Sequence, residues 1–154
     1  MTVDAATDIA SPSRVMRPDA VRNVMRANRR RDTKAELAIR TLLHRRGLRF
    51  RVDQPLPFDR RRRADITFTR VGLYVFVDGC FWHGCPDHFV MPKTNSEFWR
   101  TKIAQNRSRD LETNVQLAAA EATVLRIWEH EPAGVASDLI SRTYESLRQH
   151  RLSS

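Results

Sequence analysis

The chain has only two cysteines, Cys80 and Cys85, and no apolar run near the roughly 20 residues that crossing a bilayer requires. The first shortage excludes a disulfide-stapled secreted scaffold, and the second argues against a helical membrane protein. The amino terminus also lacks the basic-then-apolar order of a secretion signal, which makes the cytoplasm the expected compartment. Negative charge is scarce as well: 18 Asp plus Glu stand against 27 Lys plus Arg, nearly all of them arginine, for a net charge of +9. This excess points to a polyanion as partner, because a guanidinium meets phosphate with two parallel N–H donors. An arginine-rich background composition would give the same sign without any partner, so charge sets a direction only.

What is present suffices for one domain, since 154 residues at 41% apolar composition can bury a core. Residues 1–17, "MTVDAATDIASPSRVMR", are small, polar and without period; they are expected to form a mobile tail, leaving 18–150 as the domain. Periodicity predicts a helix from Thr33 to Arg46, with Ala35, Ile39 and Leu42 on one face and Gly47 as the stop. Strands are predicted near 48–53, 64–69 and 73–78, the last of which contains "LYVFV", apolar on both faces. Thr94 and Glu97 have capping-box spacing and predict a helix over about 95–120. "TVLRIWEHEP" reads as a further buried strand and "ASDLISRTYESLRQ" as a last amphipathic helix. Helix, three strands, helix, strand, helix is the order of an α/β layered fold on a mixed sheet.

The residues that can carry chemistry crowd into "GCFWHGCPDHF", residues 79–89. In a reducing compartment two cysteines this close are expected as metal ligands or free thiols rather than as a disulfide. Cys80, Cys85 and His88 have the local spacing of a tetrahedral N/S site, and His130, just past the buried strand, is a candidate fourth ligand. Buried thiols beside incidental histidines are the other reading. His44 lies inside a helix and His150 near a terminus, so both are poorer candidates, while His83 between the cysteines is free for another task. Asp65, behind four arginines, and Asp78, ending the next strand, stand where a hard cation could be held for phosphodiester hydrolysis. Either acid could equally be a solvated strand end. Lys102, Asn106 and Asp110 recur every fourth residue, so one face of the long helix carries all three, whether toward a phosphate or toward water.

Taken together, "MRANRRRDTKAE", "RADITF", "VFVDGCFWHGC", "MPKTNSEFWRTKIAQNRSRD" and "VLRIWEHE" resemble, in order and spacing, the very short patch repair endonucleases over about residues 18–133. That resemblance implies a restriction-endonuclease-like three-layer fold with a central mixed sheet and a structural zinc. It also implies Mg²⁺-dependent nicking of one DNA strand beside a T:G mismatch left by deamination of 5-methylcytosine. By position it makes Asp65 the metal-binding aspartate, Val77 a backbone-carbonyl ligand and His83 the catalytic histidine, with Glu36, Asn106 and Asp110 in support. Thr33 and Glu36 also fit a capping box, which alone would account for that glutamate. Phe81, Trp82 and Trp99 match the aromatics that the family inserts beside the mismatch, core packing being the alternative. Two positions depart from the family pattern. Better-known members carry histidine at Asp78, which makes this acid a candidate additional Mg²⁺ ligand, and the zinc set Cys80, Cys85, His88 and His130 is a different Cys and His mixture.

Arg29, Arg30 and Arg31, together with Arg60, Arg61, Arg62 and Arg63, are the expected phosphate-gripping groups, with Lys102 and Asn106 beside them. The expected partner is mismatched double-stranded DNA, other repair proteins being candidates, and the chain is expected to act as a monomer. Two other functions fit the same residues: a related nuclease of restriction or phage defence, and a zinc-stabilised DNA-binding module without catalysis.

Overall fold

Thr33 opens the first helix, α1 (Lys34–Arg45), by accepting the Glu36 N–H on its hydroxyl at 3.3 Å. Glu36 reaches back to accept from the Thr33 hydroxyl and from the Asp32 N–H, each at 3.0 Å, so the Thr33 half of a capping box forms while the return bond goes to the N–H one residue earlier. Gly47, at φ +74°, ends the helix while the Leu48 N–H bonds back to the Leu43 carbonyl. That bond keeps Leu48 in the helix cap, and the first strand therefore starts later than the predicted 48–53. The computed structural model describes residues 31–153. The tail expected over 1–17, and Arg29 and Arg30, lie outside the described residues.

Three strands follow: β1 (Arg51–Pro55), β2 (Arg63–Phe68) and β3 (Leu73–Asp78), each antiparallel to the one before it. The chain then crosses over through α2 (Ser96–Ala119) to β4 (Thr123–Trp128), which pairs parallel with β3, and ends in α3 (Ala133–Ser153). The result is a mixed sheet in the order β1-β2-β3-β4. Leu73 and Val75 pack with Ile39 and Leu43 of α1 and Ile140 of α3, whereas Phe76, with Tyr74 beside it, packs with Leu117 of α2. Helices thus cover both faces of β3, which is why its run is apolar without alternation.

The predicted Thr94–Glu97 cap of α2 does not form. Asn95 is the N-cap, held at φ +57° with no side-chain bond to the helix, and Glu97 pairs instead with Arg100 at 2.6 Å. Asparagine tolerates that left-handed conformation better than most residues, which frees Thr94 from the role. Among the described residues no helix is long and apolar enough to cross a membrane.

Candidate active site and metal centre

The topology gathers the chemistry at one end of the sheet. Because β2 and β3 are antiparallel while β3 and β4 are parallel, the start of β2 and the ends of β3 and β4 lie together. Asp65 is one residue beyond the last paired position, Ile66 opposite Val75, and there its carboxylate Oδ2 accepts the Val77 N–H at 2.7 Å. Oδ1 of Asp65 accepts no hydrogen bond from the described residues. Asp65 faces a cleft of about 690 Å³, also lined by Glu36, Val77, Trp82, His83, Lys102 and Asp110. Burial pushes its carboxyl up to about 7, the nearby charges of Glu36 and Asp78 add to the rise, and the Val77 N–H opposes it.

His83 projects from the loop after β3, with Nδ1 2.5 Å from Asp110 Oδ2 and Nε2 3.9 Å from Asp78 Oδ1. Burial alone would lower its pKa, but the Asp110 bond and the two flanking carboxylate charges prevail and raise it. Asp78, 8% exposed, is raised by its own burial against the pull of Arg126, whose Nη1 donates to both its oxygens at 2.7 and 3.0 Å. Glu36 is buried too and receives a 2.9 Å bond from Arg40 in addition to its capping bonds. Its carboxylate therefore anchors α1 and borders the cleft at once.

The loop is tied to α2. Asn106 donates to the Trp82 carbonyl at 2.8 Å, and Arg107 donates to the His83 and Gly84 carbonyls at 3.1 and 2.6 Å. Gly84, at φ +63°, permits this approach, since a Cβ there would stand 2.8 Å from Arg107 Nη2 and 3.0 Å from Ile103 Cγ2. Glu129, after β4, accepts the Cys80 N–H at 2.7 Å. Arg107, Arg126 and Glu129 had escaped sequence reasoning. A charged residue amid the apolar "VLRIW" was the available signal for Arg126.

Beside this cluster, the Nδ1 of His130 lies 3.1 Å from Cys80 Sγ and 3.7 Å from Cys85 Sγ, and His88 Nδ1 lies 3.8 Å from Cys85 Sγ. One ligand atom from each of the four residues falls within 4.8 Å of the others, an arrangement that could hold a metal ion. Asp78, His83 and Asp110 form a second such group.

The aromatics divide by depth. Trp99 is 4% exposed and packs edge-on against Phe81 and Trp82, with ring centres 5.1 and 5.9 Å away, while Phe81 and Trp82 keep part of their surface open. The arginine run divides as well. Arg62 is latched to Glu112 at 2.6 Å and to Asp59 at 3.2 Å, and Arg63 and Arg31 both reach Asp53, at 2.9 and 3.3 Å. Arg60 and Arg61 are exposed and pair with no acidic side chain among the described residues. A groove of about 800 Å³ runs from these arginines to Asp65, His83 and Asp110.

A basic groove that ends on partly buried carboxylates and a histidine is suited to holding and cutting a nucleic-acid backbone, the arrangement of a nuclease. The family model described as "DNA mismatch endonuclease Vsr" matches residues 13–88. The chain is 46% identical over 109 residues to the type II nicking enzyme V.NaeI of Lentzea aerocolonigenes, a match that covers 70% of this chain and 66% of that protein. It is 37% identical over 115 residues to the type II nicking enzyme V.XorIIP of Xanthomonas oryzae pv. oryzae, covering 74% and 82% of the two chains. With the DNA mismatch endonuclease Vsr of Escherichia coli it shares 38% identity over 107 residues, 68% of this chain and 66% of that one. The chain belongs to the very short patch repair endonuclease family and is an endodeoxyribonuclease by class.

Proposed function

We propose that the protein nicks one strand of duplex DNA beside a T:G mismatch arising from 5-methylcytosine deamination, in a Mg²⁺-dependent reaction. The observation that carries this reading is a shared wall: Asp65, Val77, His83 and Asp110 line both the cleft under the aromatic loop and the groove leading from the arginines. A backbone following Arg60 and Arg61 runs onto Asp65, while a base displaced from the stack meets Phe81 and Trp82. Trp99 supports those two rings from behind. The mismatch and the single-strand cut are each supported by the names of relatives, one a mismatch endonuclease and others nicking enzymes.

The donor set suits a hard cation. Asp65 offers an oxygen unengaged by the described residues on a carboxylate whose ionisation burial opposes, and Val77 offers its carbonyl. A bound Mg²⁺ would supply positive charge to the scissile phosphate and make an attacking water more acidic. His83 keeps Nδ1 on Asp110 and so presents Nε2 as the nitrogen that takes the water's proton or aligns it. Glu36 contributes charge beside Asp65 without leaving its cap, and Lys102 and Asn106 complete the α2 side of the cleft. Cys80, Cys85, His88 and His130 suit zinc: Zn–S of about 2.3 Å and Zn–N of about 2.0 Å put tetrahedral ligands roughly 3.5 Å apart, near the sulfur–nitrogen separations found here. The protein acts in this reading as a cytoplasmic monomer.

A panel of duplexes, matched or carrying one mismatch and labelled on one strand, incubated with Mg²⁺ or with EDTA, tests the proposal. A nick confined to T:G duplexes in Mg²⁺ is expected. Binding of duplex DNA with no cut in any member of the panel would instead leave a DNA-binding module.

A further inference from the structure

Arg126 sits in the middle of β4, opposite Phe76 in the parallel register with β3. An arginine between apolar neighbours must find partners or lose its hydration uncompensated. It finds three. Nη1 holds both oxygens of Asp78, Nη2 lies 3.2 Å from Asp110 Oδ1, and Nε donates to Asn114 Oδ1 at 3.0 Å. The guanidinium carbon also lies 4.6 Å from the Phe76 ring centre, so the planar group is held on a face as well as at its edges. The two carboxylates in its grip are the two that flank His83. Asp110 is consequently held from both sides, Oδ1 by Arg126 and Oδ2 by His83.

We propose that Arg126 is a positioning residue for strand nicking: one rigid guanidinium fixes Asp110 and Asp78 together, sets the orientation of the His83 ring, and retains Asp78 as a structural anion rather than a cation ligand. The inference rests on the nuclease reading above and adds a residue to it. Its support is geometric, because all three nitrogens are committed in one plane, which a lysine ammonium could not reproduce. Charge agrees with it. Removing Arg126 would leave two carboxylates uncompensated beside Asp65, and the imidazole would then be free to settle on either of them.

The test compares wild type, Arg126→Lys, Arg126→Met and the double variant Arg126→Met/Asp78→Asn in single-turnover nicking of a T:G duplex, duplex affinity and thermal unfolding. Arg126→Met alone strands a buried carboxylate and is expected to lose both stability and rate. The double variant removes both charges and should recover thermal stability, and Arg126→Lys keeps the charge and should stay folded. Both are expected to bind duplex within about twofold of wild type yet nick about 10- to 100-fold more slowly, the usual consequence of losing a group that orients a functional histidine. If either nicks at the wild-type rate, or if the loss falls on duplex affinity alone, the proposal is overturned and Arg126 is only the counter-charge of Asp78. A wild-type protein that cuts no duplex overturns the nuclease reading itself and this inference with it.

Discussion

Two clusters share the short stretch from Gly79 to Phe89, and they are completed in different ways. Asp78, His83 and Asp110 bring ligating atoms as close together as Cys80, Cys85, His88 and His130 do. Yet Arg126 already spans the two acids of the first group, whereas the sulfurs of the second lie against the imidazoles of His88 and His130. Proximity of donors therefore does not identify a metal site by itself. What matters is also whether a protein cation already balances them: Arg126 does so for the carboxylates, whereas the sulfur cluster could hold an ion with no such cation displaced. Asp65 stands apart from both groups: burial and two acidic neighbours raise its pKa, the charge of Arg40 opposes them only weakly, and no ion pair to it forms among the described residues.

The sharpest way to break this comparison is Asp65→Ala. Nicking should fall by at least about 1,000-fold, since electrostatic support of the phosphate acts mainly in the transition state. DNA affinity without Mg²⁺ should hold or tighten, because a negative charge has left the groove. Nicking at the wild-type rate would remove Asp65 from the site. The same carboxylate makes a pH prediction for the metal-free protein. Its folded pKa of about 7 lies above the ordinary carboxyl value of 3.8, so the folded chain holds a proton that the unfolded chain releases in between. The stability due to this group is thus present below the lower value and is lost as pH rises through about 7. Asp65→Asn should flatten that decline, gaining on the order of 1–3 kcal/mol at pH 8 in urea unfolding. Parallel pH profiles for variant and wild type would show an ordinary carboxyl.

On the sulfur side, His130→Ala should release the loop from the end of β4 and lower folding stability by on the order of several kcal/mol, because metal affinity there is folding energy. Zinc analysis of wild type should find about one equivalent, and chelation should reproduce the variant's loss. Metal-free protein that unfolds no more easily than the purified form would make the cysteines plain core residues. Nicking should track the folded fraction, unlike the behaviour of Asp65→Ala.

The two tryptophans extend the contrast between support and contact. Trp99→Ala should cost about 3–5 kcal/mol of stability by opening a cavity. Trp82→Ala should spare stability and cost about 1–3 kcal/mol of discrimination between mismatched and matched duplex. Equal loss of affinity for both duplexes would place Trp82 with Trp99 among the packing residues.

The unequal legibility of the sequence has a physical pattern. The β3 strand could be read because helices bury both its faces and leave one uninterrupted apolar run. The start of α2 could not, because Asn95 reaches a left-handed conformation without any side-chain cap. The Cys80–His130 proximity was within reach, since both flank the ends of neighbouring parallel strands. The partners of Arg126 were not, although its charge amid an apolar strand was visible: Asp78 is 48 positions away, and periodicity carries no information about which charges meet across a sheet. The resemblance suggested residues for the site, but the way Arg126 joins Asp78 to Asp110 emerged only from packing.

The smallest expected effect separates neighbours within one arginine run. Each phosphate neutralised contributes roughly −0.9 to the slope of log affinity against log salt for duplex DNA. Arg60 and Arg61 stand exposed at the mouth of the groove, so replacing both with Ala should flatten the slope by up to about 1.8. Arg62 is engaged by Glu112, Asp59 and the Thr113 hydroxyl, and cannot neutralise a phosphate without giving up those partners. Arg62→Ala should therefore leave the slope nearly unchanged and cost stability instead, by no more than about 1 kcal/mol, since Glu112 is exposed to water. Duplex affinities measured across a salt series, alongside unfolding curves, distinguish the two behaviours. If Arg62→Ala flattens the slope as much as its neighbours do, the latch opens on DNA, and the whole run grips phosphate as a unit.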